Sequence, residues 1–226
     1  MSFDLLLPAF SAILSGLFLT LLITICGFAL GQAIALPVAL ALVSTRVWLS
    51  VPAAFYTFVV RGSPLLIQLF IIYYGLGQLE FIRESFLWPV LRSAVYCAIL
   101  AIALNSAAYS ARVVAGAIRQ LHKGQFEAGH ALGLTDHAIL SKVVLPQVYR
   151  VVLPAIGNEL VLVMKASTLA SAVTVIEMTG AARLFVARTY APFEAFLIAG
   201  ILYLVFGALF GWTFKIIEAR VAIPGR

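Results

Sequence analysis

Residues 5–45 carry no charged side chain. A helix rises about 1.5 Å per residue, so this stretch outruns the roughly 20 residues that one upright crossing of a bilayer needs. The rest of the chain is similar. Of its 226 residues, 63% are hydrophobic and 11% charged, against about 45–50% and about 25% in soluble domains. A globule of this length cannot enclose so much apolar surface, so lipid has to solvate it. Backbone groups in lipid need partners within the chain, which leaves helices or a closed barrel. The apolar runs are long and do not alternate with period two, which excludes the barrel. The expectation is an all-α polytopic protein forming a single transmembrane domain over 1–226.

Residues 3–10 are expected at the membrane interface, followed by spans near 12–43, 52–78, 93–116, 150–174 and 194–214. Arg61-Gly62-Ser63-Pro64 interrupts the second, and the fourth contains Glu159 and Lys165. Asp4 replaces the basic start of a signal peptide, and the first apolar stretch is too long for one. Cytoplasmic connections carry the excess of Lys and Arg. Arg46, then Arg112, Arg119, Lys123, Lys142 and Arg150, then Lys215, Arg220 and Arg226 fall on one set of connections. Loops 79–92 and 177–194 are balanced in charge. About five crossings follow, with the N-terminus outside and the C-terminus in the cytoplasm. The net charge of +6 is then an orientation signal, which argues against nucleic acid as a partner. Cys26 and Cys97 lie in apolar runs and read as packing residues.

The longest polar connection, 117–148, is cytoplasmic in this scheme. Gly124 is expected to break it, with a helix over 125–131 and then Gly133. Thr135-Asp136 suits the start of a second helix, whose pattern runs through Ile139, Val143 and Val144. Leu145-Pro146 is expected to end it. Gly129 and Gly133 would admit a partner surface close to the backbone.

Within this segment, EAGHALGLTDHAILSKVVLP at 127–146 resembles the EAA loop of permease subunits of ATP-binding-cassette importers, whose pattern is EAA-x3-G-x9-I-x-LP. Glu127, Ala128, Gly133, Leu145 and Pro146 match, Val143 is a conservative change, and Gly129 stands where the pattern has alanine. Arg61-Gly62-Ser63-Pro64-Leu65 with Gln68, Asn105-Ser106-Ala107-Ala108-Tyr109, Lys123-Gly124-Gln125, Leu153-Pro154, Asn158-Glu159-Leu160 and Lys165-Ala166-Ser167-Thr168-Leu169 resemble runs of the polar amino-acid permeases. The likeness is to the M-type subunits of histidine/lysine/arginine/ornithine and opine importers. Arg112 departs from it, since many relatives have glutamate there, and so does Ala115, where many have arginine.

The resemblance implies the type I importer permease fold with a cytoplasmic coupling helix, in the bacterial inner membrane. It implies two ATP-binding subunits docked at Glu127, Ala128, Gly133, Leu145 and Pro146. It also implies a second permease subunit, a paralogue in preference to an identical copy, and a periplasmic substrate-binding protein. ATP and magnesium would belong to the ATPase, leaving this chain without cofactor. It has neither a GxxxxGK[ST] phosphate loop nor an assembled nucleophile and base, so it is expected to be no enzyme.

A charge near mid-bilayer costs from about 2.5 to over 10 kcal/mol and therefore faces an interior or a water path. Glu159 lies roughly 13 Å along its helix from Arg150, and Lys165 is turned about 120° away from it. The substrate path is expected to use Glu159 for a cationic group and Arg61, with a helix start capped by Ser63 and carrying Pro64 in its first turn, for a carboxylate. Asn158 and Asn105 are further candidates. The alternative for Arg61 and Glu159 is ion pairing between helices or subunits. Asn105, Ser106 and Tyr109 suit hydrogen bonds between helices. His122, His130 and His137 read as surface residues in preference to metal ligands. Gly27, Gly31, Gly200, Gly207 and Gly211 suggest close helix packing. A self-contained secondary transporter or channel is the competing reading, weakened by the lack of an internal repeat. An intramembrane enzyme is a third.

Overall fold

The computed structural model describes residues 3–221; Arg226, counted above among the orienting charges, lies outside them. The described residues form helices and connections without a strand. Helix α1 covers Leu6–Leu14 and α2 Leu17–Val43, joined through Ser15 and Gly16. Within 3–10, Leu7 and Phe10 are exposed while Ala9 is buried. Ala9 and Ile13, one turn apart on one face of α1, are fully enclosed in a cluster with Met178, Ala182, Phe185, Ala195 and Ala199. A small and a branched side chain at i and i+4 give α1 a flat apolar face, which the later helices cover.

The central helix is α7, Ala94–Gln120, half of whose buried positions are alanine. In lipid the association of helices is driven by packing and hydrogen bonds, not by exclusion of water, so small residues at the contact are favoured. A Cβ on Gly27 would stand 3.0 Å from Ile102 Cγ2, and one on Gly31 would stand 3.1 Å from Ser106. Those two glycines of α2 lie directly against α7. An added Cβ at Gly200 or Gly211 meets nothing within 4 Å, so the packing expected of that pair is absent within the chain.

The second span is two helices, α3 (Val47–Gly62) and α4 (Leu65–Phe70), the latter extended by a π turn, Ile71–Gly75, and a 3-10 turn, Leu76–Gln78. The two parts bend by 106° at Ser63-Pro64. Ser63 is extended (φ −115°, ψ 149°), as a residue preceding proline tends to be. The capping expected there is corrected. Pro64 occupies the cap position, and its carbonyl accepts from the N–H groups of Ile67 and Gln68. The Ser63 hydroxyl instead donates backward, 2.9 Å to the Val59 carbonyl, one of the acceptors orphaned at the end of α3. Two single-turn helices, α5 (Glu80–Arg83) and α6 (Trp88–Leu91), lead into α7.

Beyond α7, helix α8 covers Lys123–Ala131. Gly124 is no break. It lies in the first turn, and its N–H donates to His122 Nδ1 at 3.2 Å, so the histidine caps the helix. Helix α9 covers Asp136–Ile139, and Thr135 Oγ1 accepts from the Ala138 N–H at 3.3 Å, as its sequence position suggested. Leu145-Pro146 does not end the segment. A π turn, Leu140–Val144, passes directly into α10, Leu145–Ala166. The irregular ladder of the π turn places Pro146 in a fresh first turn, where its missing N–H costs nothing.

A 3-10 stretch (Ser167–Val173), α11 (Met178–Thr189) and α12 (Pro192–Val221) complete the chain. With the bent pair counted once, five apolar segments are long enough to cross a membrane. Glu177 and Glu194, expected in an outer loop, are both buried. Glu177 is the capping residue of α11.

Candidate translocation cavity and coupling segment

Helices α4, α7 and α10 enclose a cavity of about 280 Å³ lined by Leu65, Asn105, Ser106, Tyr109, Glu159 and Leu162, among others. On α10, Glu159, Leu162, Val163 and Ala166 point the same way because they recur at helical spacing. On α7, Asn105, Ser106 and Tyr109 do likewise. Glu159 is half-buried and makes no ion pair among the described residues. It interacts with Ser106, whose hydroxyl is buried and meets no partner at full hydrogen-bonding geometry. Lys165, on another side of α10, is exposed and likewise unpaired by any carboxylate there.

Arg61, exposed near the end of α3, is not part of the cavity lining but touches one of its residues. Its guanidinium carbon lies 5.2 Å from the centre of the Tyr109 ring, a cation–π distance. No bridge joins Arg61 to Glu159, so that ion-pair alternative fails within the chain. The cavity lining thus carries a carboxylate, and one of its aromatic rings is stacked by a guanidinium.

Ser63 does not line the cavity but connects to it. Gln68 Nε2 donates to the Val60 carbonyl at 2.7 Å, to the Ser63 carbonyl at 3.1 Å and to Ser63 Oγ at 3.0 Å. Gln68 Oε1 accepts from Asn105 Nδ2 at 3.3 Å. One amide side chain therefore closes the break in the second span and ties it to the wall of the cavity. Its value was hidden in sequence because its bonds reach back across the break. Asn158 is exposed and lies outside the cavity.

The loop residues separate into two places. Glu127 and Ala128 are exposed on α8, and Gly133, also exposed, ends it with φ +74°. Leu132, between them, is 80% exposed. Leu145 and Pro146 sit instead at the base of α10. Gly129 faces inward: a Cβ there would stand 2.7 Å from Ile139 Cγ1. The close approach expected toward a partner is thus made to the chain's own α9. His130 Nε2 lies 3.4 Å from an Asp136 oxygen at the surface.

Arg112, the departure noted in sequence, is held inside the chain. Its Nε donates to Thr57 Oγ1 at 2.8 Å and its Nη2 to the Ala54 carbonyl at 3.3 Å. Ala115 is buried against α2 and α3 in the cluster that also holds Ala39 and Ala53.

A family model described as binding-protein-dependent transport system inner membrane component matches residues 33–223. The chain belongs to this family. It is 43% identical over 209 residues to an octopine transport system permease protein of Rhizobium meliloti, covering 92% of this chain and 85% of that one. It is 35% identical to the histidine/lysine/arginine/ornithine transport system permease protein of Escherichia coli K12, covering 91% and 87%. A solved chain of an amino acid ABC transporter with histidines superposes with a TM-score of 0.84 at 31% identity, covering 97% of this chain and 99% of that one. A chain of an inward-facing methionine ABC transporter, 20% identical, shares the fold with a TM-score of 0.79 over 99% and 100%. The protein is therefore an inner-membrane permease subunit of an ABC importer, not an enzyme. Family membership brings an ATPase and a substrate-binding protein as partners. The self-contained transporter and the intramembrane enzyme fall away with it.

Proposed function

We propose that this permease subunit passes a cationic amino acid, or an amino-acid derivative such as an opine, inward through the cavity between α4, α7 and α10. The observation that carries this reading is Glu159, a half-buried carboxylate on the cavity wall without a cationic partner among the described residues. A negative charge at that depth is costly unless a ligand or water path compensates it. Arg61 over Tyr109 supplies the complementary charge for the substrate carboxylate. Asn105, held by Gln68, offers an uncharged polar group between them. Octopine and basic amino acids, named for the relatives, share a carboxylate with a cationic group.

The orientation follows the distribution of Lys and Arg, with the N-terminus outside and the C-terminus and 117–148 in the cytoplasm. There the exposed face of α8, with Glu127, Ala128, Leu132 and Gly133, docks against an ATPase dimer, and Leu145-Pro146 sets the base of α10 behind it. A paralogous permease subunit covers the exposed side of α10 that bears Asn158 and Lys165 and supplies an acidic group to the lysine. Nucleotide-dependent closure of the ATPases then shifts the population between inward and outward states.

The decisive variant is Glu159→Gln in the complete transporter in proteoliposomes. Preference for arginine over glutamine should fall by roughly tenfold or more, the value of a charge-assisted hydrogen bond. Unchanged preference with intact ATP hydrolysis removes Glu159 from the path.

A further inference from the structure

Gln125 and Gln147 form a reciprocal pair. Gln125 Nε2 donates to Gln147 Oε1 at 2.9 Å, and Gln147 Nε2 donates to Gln125 Oε1, also at 2.9 Å. Gln125 belongs to α8 and Gln147 to the first turn of α10. Gln147 Nε2 also donates to the Val143 carbonyl at 2.9 Å, inside the π turn. Both side chains are half-buried.

Besides the packing of Phe126 against the apolar cluster that holds Val148 and Val152, one covalent and one hydrogen-bonded route join α8 to α10. The covalent route runs through Gly133, α9 and the π turn. Gly133 adopts a left-handed conformation, and a π turn has a poorer hydrogen-bond ladder than an α-helix. Both are places where the chain bends easily. The second route bypasses them through a planar pair of amides. The two bonds of this pair cross directly from α8 to α10. The Gly129–Ile139 contact reaches α9 alone.

We propose that the Gln125–Gln147 pair is the strut that makes α8 and α10 move as one body, so that displacement of the docking helix reaches Glu159. This rests on the docking reading of α8. The two glutamines are positioning residues: they touch neither substrate nor nucleotide. Without the strut, motion of α8 dissipates in the turn at Gly133 and the π turn, and hydrolysis proceeds with less substrate moved.

The test uses the complete transporter carrying Ala128→Cys and a cysteine on the ATPase groove. Crosslinking reports docking, and the ratio of arginine imported to ATP hydrolysed reports coupling. Gln125→Ala with Gln147→Ala should keep the crosslink while the ratio falls by roughly tenfold, as expected when two hydrogen bonds of ordinary net strength are lost. Each single variant should do nearly as much as the pair, because either one breaks both bonds. Gln125→Glu, which still accepts from Gln147 Nε2, should retain an intermediate ratio, and it carries the test if the alanine pair fails to assemble. A retained crosslink with an unchanged ratio overturns the strut. Failure of the two-cysteine transporter with both glutamines intact to crosslink overturns the docking reading, and the strut with it.

Discussion

The Tyr203 hydroxyl donates to Glu177 Oε2 at 2.6 Å, and through that bond α12 is fastened to the start of α11. Glu177 is fully enclosed and also accepts from the N–H groups of Thr179 at 2.8 Å and Gly180 at 2.9 Å. The adjoining Met178 N–H donates to Thr20 Oγ1 of α2 at 3.1 Å. Gly16, between α1 and α2, lies so close that a Cβ would stand 2.5 Å from the Glu177 carbonyl carbon. The carboxylate thus joins α11 to α12, and the backbone beside it meets α2 and the joint between α1 and α2.

Tyr203→Phe keeps the ring and removes the donor. Thr179 still satisfies Oε2, so the loss should be about 1–2 kcal/mol. Glu177→Ala strips the cap and leaves two enclosed N–H groups without an acceptor, a loss of about 3 kcal/mol or more. Thermal unfolding of the detergent-solubilised transporter, followed by intrinsic fluorescence, should give midpoints in the order native, Tyr203→Phe, Glu177→Ala. Coincident midpoints would show that the carboxylate holds nothing together.

Gly129→Ala brings the loop nearer to its family pattern, yet it should be harmful here. The new Cβ would stand 2.7 Å from Cγ1 and 2.8 Å from Cδ1 of Ile139, a buried, branched side chain with little rotamer freedom in a helix. Overpacking of this kind costs about 1–3 kcal/mol. Import should decline in Gly129→Ala and recover when Ile139→Ala is added, since the second change restores the missing space. Uptake assays on the two variants decide it: recovery in the double variant identifies the clash as the cause, and equal impairment excludes it.

The contrast between these sites explains what could be read from sequence. The spans, the end of α8 before Gly133 and the Thr135 cap rest on composition or on residues a turn apart, and all were legible. Glu177 was taken for a loop charge because what fixes the chain there is distant in sequence: the adjoining Met178 bonds Thr20 of α2 across 158 residues. Pro146 reads as a helix stop in any local pattern, and only the π turn before it lets the helix begin again. At the cavity, Glu159, Asn105 and Arg61 were visible as unusual polar residues at membrane depth. Ser63 was assigned the wrong bond, because the pre-proline backbone turns its hydroxyl toward α3. Gln68 was quoted within a motif with no role, since its partners lie across a bend of 106°.

Arg112 and Ala115 form a linked pair of departures whose cost on reversal can be stated. Thr57 Oγ1 already donates to the Ala54 carbonyl, so it can only accept from residue 112. The arginine supplies that donor and a second one to the same carbonyl. Arg112→Glu offers no donor and sets a carboxylate against two oxygens, which should cost about 2–3 kcal/mol. Ala115 is 1% exposed, so Ala115→Arg forces a long cation between α2 and α3 and should prevent accumulation of folded protein. Combining Arg112→Glu with Ala115→Arg recreates the arrangement common among relatives but should not rescue either change, because the space beside residue 115 is filled by Ala39, Ala53 and their neighbours. Membrane yield and unfolding midpoint measure all three variants. Recovery in the double variant would mean that the two charges satisfy each other and that the alanine packing around residue 115 yields without penalty.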